Sequence, residues 1–339
     1  MTKIYKICIS AVLLIAMASC KNQTQTILEN TEGRIEIYDR EMLNIIDTSE
    51  NIQVLCSGFS WSEGPVWVDE LNALLFTDVP NNIIYKWSEK GGKQVYLTPS
   101  GHSLGYTDGG TEGANGLALD IDNKLLLCQH GNRAVAKMMS DLGQPKDSFQ
   151  FLTQKFNNQK YNSPNDLCVT KNGIIFFTDP PYGLPDQDTA KAKQMSHNGV
   201  FKLTKDGQVT LIDSTLSKPN GIALSKDEKY MYVSNSDPAH AVWYKYALDT
   251  NYNVIERTLF ADATHLVGKY KGLPDGLKIS KNGYLFASGP GGILVFNQDS
   301  RNVGMIYTDQ ATSNCAFNTA EDYLYMTADK HLMRIKIKN

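Results

Sequence analysis

A chain of 339 residues with net charge −3, 42% hydrophobic and 20% charged residues is not collagen-like, disordered or a multi-span membrane protein. With a pI near 6.1 and both signs of charge interspersed, nothing points to nucleic acid as a partner. Seventeen Tyr, 12 Phe and 26 Gly suit many short strands joined by tight turns, so the length reads as one large all-β domain rather than several ordinary ones.

At the N-terminus, Lys3 and Lys6 precede an apolar run from Ile7 to Ala18, interrupted only by Ser10. The run is too short to span a bilayer as a mature helix, and residues 1–19 have the pattern of a secretory signal. They end in Met17-Ala18-Ser19-Cys20, which resembles a bacterial lipobox. The resemblance implies cleavage before Cys20 and lipidation of that cysteine; the competing reading is an ordinary signal peptide with an incidental Cys20. Acyl chains anchor strongly because each buried CH₂ contributes about 0.8 kcal/mol. Residues 20–48 then read as lipid anchor and tether, beginning with the polar KNQTQTILENTE (21–32). The expectation is an exported monomer held by its lipid, in the periplasm or at the cell surface. Arg34 to Tyr38 (RIEIY) reads as an edge strand. Cys56, Cys128, Cys168 and Cys315 show no CxxC spacing and read as small buried residues rather than zinc or redox groups.

Over residues 49–339 an eight-residue strand pattern recurs: LNALLFTD (71–78), DNKLLLCQ (122–129), NGIIFFTD (172–179), EKYMYVSN (228–235), NGYLFASG (282–289) and EDYLYMTA (321–328). The steps are 51, 50, 56, 54 and 39 residues, each long enough for four short strands and their turns. Six occurrences predict an all-β, six-bladed propeller. His331 to Lys338 is expected in the sixth blade, with Asn51 to Cys56 as its outermost strand. That closure joins the chain ends and removes an exposed sheet edge.

Fourteen or 15 residues before the end of each repeat strand stands an oxygen-bearing side chain: Glu63, Asn115, Asn165, Asn220, Asp275 and Asn314. Innermost propeller strands line the central channel, so equivalent positions converge on its axis. Any single Asn-Gly or Asp-Gly is a common turn, and a purely structural ring is the competing account. Six oxygens at one phase form a hard-donor set suited to Ca²⁺, whereas zinc would favour His or Cys there. Mg²⁺, Mn²⁺ and Zn²⁺ remain open as alternatives. With carboxylates at Glu63 and Asp275, a divalent ion in the channel would be charge-balanced and Lewis-acidic.

SWSEGPVW (60–67), SPNDL (163–167), KPNGIAL (218–224) and LPDGLKI (273–279) resemble the signature segments of the senescence-marker-protein/gluconolactonase family. TDPPYGL (178–184) and QHGNRAV (129–135) resemble its bacterial gluconolactonase branch. The resemblance covers about residues 50–338 and implies a calcium-type propeller that hydrolyses lactones. It implies Glu63, Asn165, Asn220 and Asp275 as metal ligands, Asp275 as a base, and Asp166 as a substrate contact. Where the vertebrate branch has an arginine this chain has Ser163, and Arg133 is the expected replacement. Asn115 and Tyr182 are further candidates for the substrate, and His130 is the other candidate base. The Gly-rich segment 100–113 reads as a rim or lid loop. No GxSxG elbow, P-loop or GxGxxG following a strand is present, so neither serine-nucleophile chemistry nor a nucleotide is implied. Besides aldono-lactone hydrolysis, the metal arrangement allows ester or phosphotriester hydrolysis, or a non-catalytic propeller that binds a sugar or a partner.

Overall fold

Each recurring segment carries an unbroken apolar run, and the structure explains why. In the computed structural model, which describes residues 33–102 and 113–338, these runs are the second strands of six antiparallel sheets. They span Ala73–Asp78, Leu125–Gln129, Ile175–Asp179, Tyr230–Asp237, Leu285–Gly289 and Tyr323–Ala328. Each sheet is a blade packed between two neighbours, so both faces of its second strand are buried and polar alternation is lost. Phe177 of the third blade shows this: it packs with Leu126 and Cys128 of the second blade and stacks on Phe201 of its own. Apolar clusters of this kind fill the spaces between blades, for example Phe76 and Trp87 of the first against Tyr325 and Leu332 of the sixth.

Chain order runs outward within each blade, from an innermost strand at the channel to a fourth at the rim. The sixth blade departs from this, because its outermost strand is Gln53–Ser57 from the start of the domain, paired antiparallel with His331–Lys336. Arg34–Ile37 adds a fifth strand to the fifth blade, pairing Ile35 with Ile306. Between these two strands, the short 3₁₀ turn Arg40–Asn44 is capped by the Asp39 carboxylate, which accepts from the Glu41 amide at 2.9 Å. It drops Met42 into the core beside Phe286 and Val303, and Ile46 follows it to bridge Ile337. The tether expected over residues 20–48 is therefore corrected at its C-terminal end: residues 34–46 pack onto the fifth and sixth blades because Met42, Ile45 and Ile46 are apolar enough to be buried there.

Cys128 and Cys315 are buried and Cys56 and Cys168 half-buried, all four as free thiols. Among the described residues, no helix is long and apolar enough to cross a membrane. The signal segment, Cys20 and most of the Gly-rich loop lie outside the described residues.

Candidate active site

The six phase-equivalent oxygens meet at the channel because the innermost strands break register beside them. Bulges interrupt the pairing between Glu63 and Val66, Ala114 and Leu117, Pro219 and Ile222, and Thr312 and Asn314. A bulge re-aims a side chain that the pleat would otherwise send between blades. In the third and fifth blades the innermost strands, Leu167–Val169 and Leu277–Ile279, begin only after Asn165 and Asp275.

Backbone packs against backbone around this ring. A Cβ on Gly64, which adopts φ +49°, would stand 2.0 Å from the Asn115 carbonyl oxygen, and one on Gly221 would stand 2.2 Å from that of Asp275. Hydroxyls tie the blades together: Thr77 donates to the Asn115 carbonyl (3.1 Å), Thr178 to that of Asn220 (2.6 Å) and Ser234 to that of Asp275 (2.8 Å). Ser313 closes the circle by donating to the Ser62 carbonyl at 2.7 Å. The loops leading into the ring are held from their own blades. Asp179 accepts from the Asn162 and Ser163 amides at 2.7 Å, and Asp78 accepts from those of Ser60 and Trp61 at 3.2 Å.

Glu63, Asn115, Asn165, Asn220 and Asp275 line one cavity of about 440 Å³. His130, Tyr182 and Ser236 share its wall, with Trp61, Val79, Pro80 and Leu273 as its larger apolar lining residues. Asn314 stands behind them, donating from Nδ2 to Glu63 Oε2 at 3.2 Å. Asn220 donates from Nδ2 to Ser236 Oγ at 2.9 Å. The Oδ1 atoms of Asn115, Asn220 and Asp275 are buried with no hydrogen-bond partner in the protein. Buried oxygens are seldom left so, because each forfeits its hydration without compensation.

The electrostatics carry the same message. Burial and the nearby Asp166 charge raise the Glu63 carboxyl to about 7. Burial, then Glu63 and Asp166, push Asp275 well above the carboxylate range. Burial lowers His130 to about 4, so its imidazole is neutral at physiological pH. The Tyr182 phenol is raised by burial and by Asp275 and stays protonated.

Two expected substrate contacts stand off the cavity wall. Arg133 is buried behind the site, with Nε donating to the Tyr161 carbonyl and Nη1 to that of Ala192 at 2.9 Å, and it is absent from the cavity wall. Asp166 is also off the wall, its carboxylate accepting from the Leu167 amide at 2.9 Å and the Ile222 amide at 3.4 Å. Ser163 is likewise structural, donating to the Pro180 carbonyl at 2.6 Å and accepting from the Gly183 amide at 2.8 Å. Sequence reasoning missed Ser236 and the interblade hydroxyls. The signal for the latter was present, since the penultimate residue of the repeat strands reads Thr77, Cys128, Thr178, Ser234, Ser288 and Thr327. Among the described residues no three His, Cys, Asp or Glu side chains cluster at metal-binding spacing, as expected of a ring built mainly from amides.

The sequence pattern of the SMP-30/Gluconolactonase/LRE-like region matches residues 61–330. A gluconolactonase of Zymomonas mobilis subsp. mobilis is 38% identical over 347 residues, covering 98% of this chain and 96% of that one. A lactonohydrolase of Aspergillus oryzae is 29% identical over 55% of this chain and 47% of its own. Among solved structures, a gluconolactonase of Xanthomonas campestris superposes with a TM-score of 0.77 at 29% identity, covering 90% of this chain and 94% of that chain. The chain belongs to the SMP-30/gluconolactonase/LRE-like family.

Proposed function

We propose that this protein is a Ca²⁺-dependent lactonase that opens sugar lactones such as gluconolactone to the aldonic acid. One observation carries the reading: five phase-equivalent oxygen-bearing side chains line a single cavity, and three of their buried oxygens have no protein partner. The 38% identity to a gluconolactonase along nearly the whole chain supports the lactone as substrate.

Glu63, Asn165, Asn220 and Asp275 would hold the ion, and two carboxylates with two amides are a hard-oxygen set suited to calcium. A bound cation supplies polarisation of the lactone carbonyl and stabilisation of the charge that develops on its oxygen. The chain's own residues do the rest. Trp61, Val79, Pro80 and Leu273 receive the C–H face of the sugar ring and exclude water from it. Asn115, His130 and Tyr182, which line the same cavity, offer hydrogen bonds to ring hydroxyls. Asp275, whose Oδ1 has no protein donor, takes a proton from the attacking water. As the acyl–oxygen bond breaks, the same carboxyl returns that proton to the departing alkoxide, giving a hydroxy acid. His130 is neutral and can accept a proton, but its depressed basicity makes it the weaker base.

Localisation belongs to the same reading: export directed by residues 1–19, lipid on Cys20, and a short linker leading into the first strand at Arg34. Loss of fatty-acid labelling in Cys20→Ala would support the anchor, and retained labelling would refute it.

Hydrolysis of glucono-δ-lactone followed in a pH-stat, with Ca²⁺ and with EGTA, tests the reaction. Activity should require the ion and disappear in Glu63→Gln and Asp275→Asn. Turnover unchanged by both substitutions would refute the metal site.

A further inference from the structure

Bonded to Asn314 behind the ring stands a lysine that neither the lactonase reading nor the family resemblance employs. Lys278 lies on the innermost strand of the fifth blade, Leu277–Ile279. Its Nζ donates to the Leu277 carbonyl at 3.1 Å and to Asn314 Oδ1 at 3.3 Å. The Asn314 amide is thereby oriented, and its Nδ2 donates to Glu63 Oε2 at 3.2 Å. Lys278, Asn314 and Glu63 thus form one chain of hydrogen bonds across three blades. The ammonium acts electrostatically on Glu63 of the first blade, Cys168 of the third and Cys315 of the sixth, a reach that belongs to a group near the propeller axis.

Charge counting gives the arrangement its meaning. Glu63, Asp166 and Asp275 act on one another through the buried ring. Three carboxylates against one ammonium leave a formal charge of −2, which one divalent cation neutralises. Without Lys278 the same ring would carry −3 and match a trivalent ion.

We propose that Lys278 is the fixed counter-cation of the ring, a positioning residue that holds Asn314 against Glu63 and sets the site's charge for a divalent ion. The inference rests on the metal reading above and deepens it. A fixed positive charge two hydrogen bonds from Glu63 penalises a bound ion in proportion to that ion's charge, so its removal favours a trivalent ion more than a divalent one.

The test uses purified protein, with Ca²⁺ binding measured by calorimetry and Tb³⁺ binding by luminescence sensitised through Trp61, which lines the cavity. Lys278→Met and Lys278→Gln both remove the charge, and the glutamine keeps an amide donor for Asn314. Lys278→Arg keeps the charge. The neutral variants should bind both ions more tightly, with the Tb³⁺-to-Ca²⁺ preference raised about tenfold, and the arginine variant should keep the wild-type ratio. An unchanged ratio in the folded neutral variants, or an equal loss of both affinities, would overturn the proposal while leaving the metal reading intact. A wild-type protein that binds neither ion would overturn both.

Discussion

The inner and outer rims of the propeller are built by different rules. At the channel, blades meet backbone to backbone, with Gly64 and Gly221 admitting neighbouring carbonyls and Thr77, Thr178 and Ser234 bonding to them. At the outside, the fourth strand of the fourth blade, Val254–Asp262, leaves Ile255 68% and Leu259 54% exposed. Between the two rims, apolar side chains fill the interblade spaces. Directional bonds therefore fix positions where chemistry needs them, non-directional burial supplies most of the stability, and the outer surface supplies little of either.

The sharpest test of this contrast separates function from stability at the inner rim. Asp275→Asn should lower lactone turnover by roughly 10³-fold or more, because it removes both a proposed ligand and the base. The same variant should raise the melting temperature of the metal-free protein, since it removes the burial penalty on the Asp275 carboxyl and its unfavourable interaction with Glu63. Differential scanning calorimetry in EDTA beside the pH-stat assay reads both, and a lowered melting temperature would contradict the account.

Next in size is the packed interior. Met42→Ala removes a fully buried side chain where the N-terminal segment is pinned, and should cost about 2–5 kcal/mol in denaturant unfolding. A cost below 1 kcal/mol would show that the segment contributes little to the fold.

The pH dependence of the ring is smaller and opposite to that of an ordinary paired carboxylate. Glu63 has its carboxyl raised from 4.5 to about 7 in the folded protein. Its contribution to metal-free stability is complete below the unfolded value and is lost as pH rises through the folded one. Metal-free protein should therefore melt at a lower temperature at pH 8 than at pH 5 as far as this group governs it, and Glu63→Gln should flatten the difference. Calcium affinity should run the other way, falling as pH drops below about 7 because protons compete for the same oxygens. Titrations at pH 5.5 and 8 would show it.

The smallest effect is expected at the outer rim. Ile255→Thr should change stability by no more than about 0.5 kcal/mol and leave turnover untouched.

Repetition made the architecture legible in the sequence. A strand of eight residues is weak evidence alone, but six copies carrying an oxygen at one phase constrain each other, and all six became second strands. The closing strand at Gln53–Ser57 was legible for the same reason, because a ring must hide its last edge. The positions of Arg133 and Asp166 off the cavity wall were not legible, because they depend on partners remote in the chain. Arg133 donates to carbonyls at Tyr161 and Ala192, and Asp166 accepts from an amide at Ile222 of the next blade. A motif shows which charges stand near a site, not which of them the backbone has already claimed. The interblade hydroxyls stayed hidden for a related reason: their role depends on a carbonyl that only the assembled ring brings within reach.

Closing the sixth blade with a strand from the start of the domain also has a consequence for how the protein is made. Gln53 is synthesised 281 residues before its partner Arg334, so the outermost strand of the last blade emerges first and waits longest. No partial chain, however many blades it contains, can complete the circle. Loop closure over that separation carries a large entropic cost before any pairing repays it, which places the sealing of the ring among the late steps of folding. A ribosome that stalls within the last blade would release a chain with two unpaired sheet edges, a template for association with its own copies.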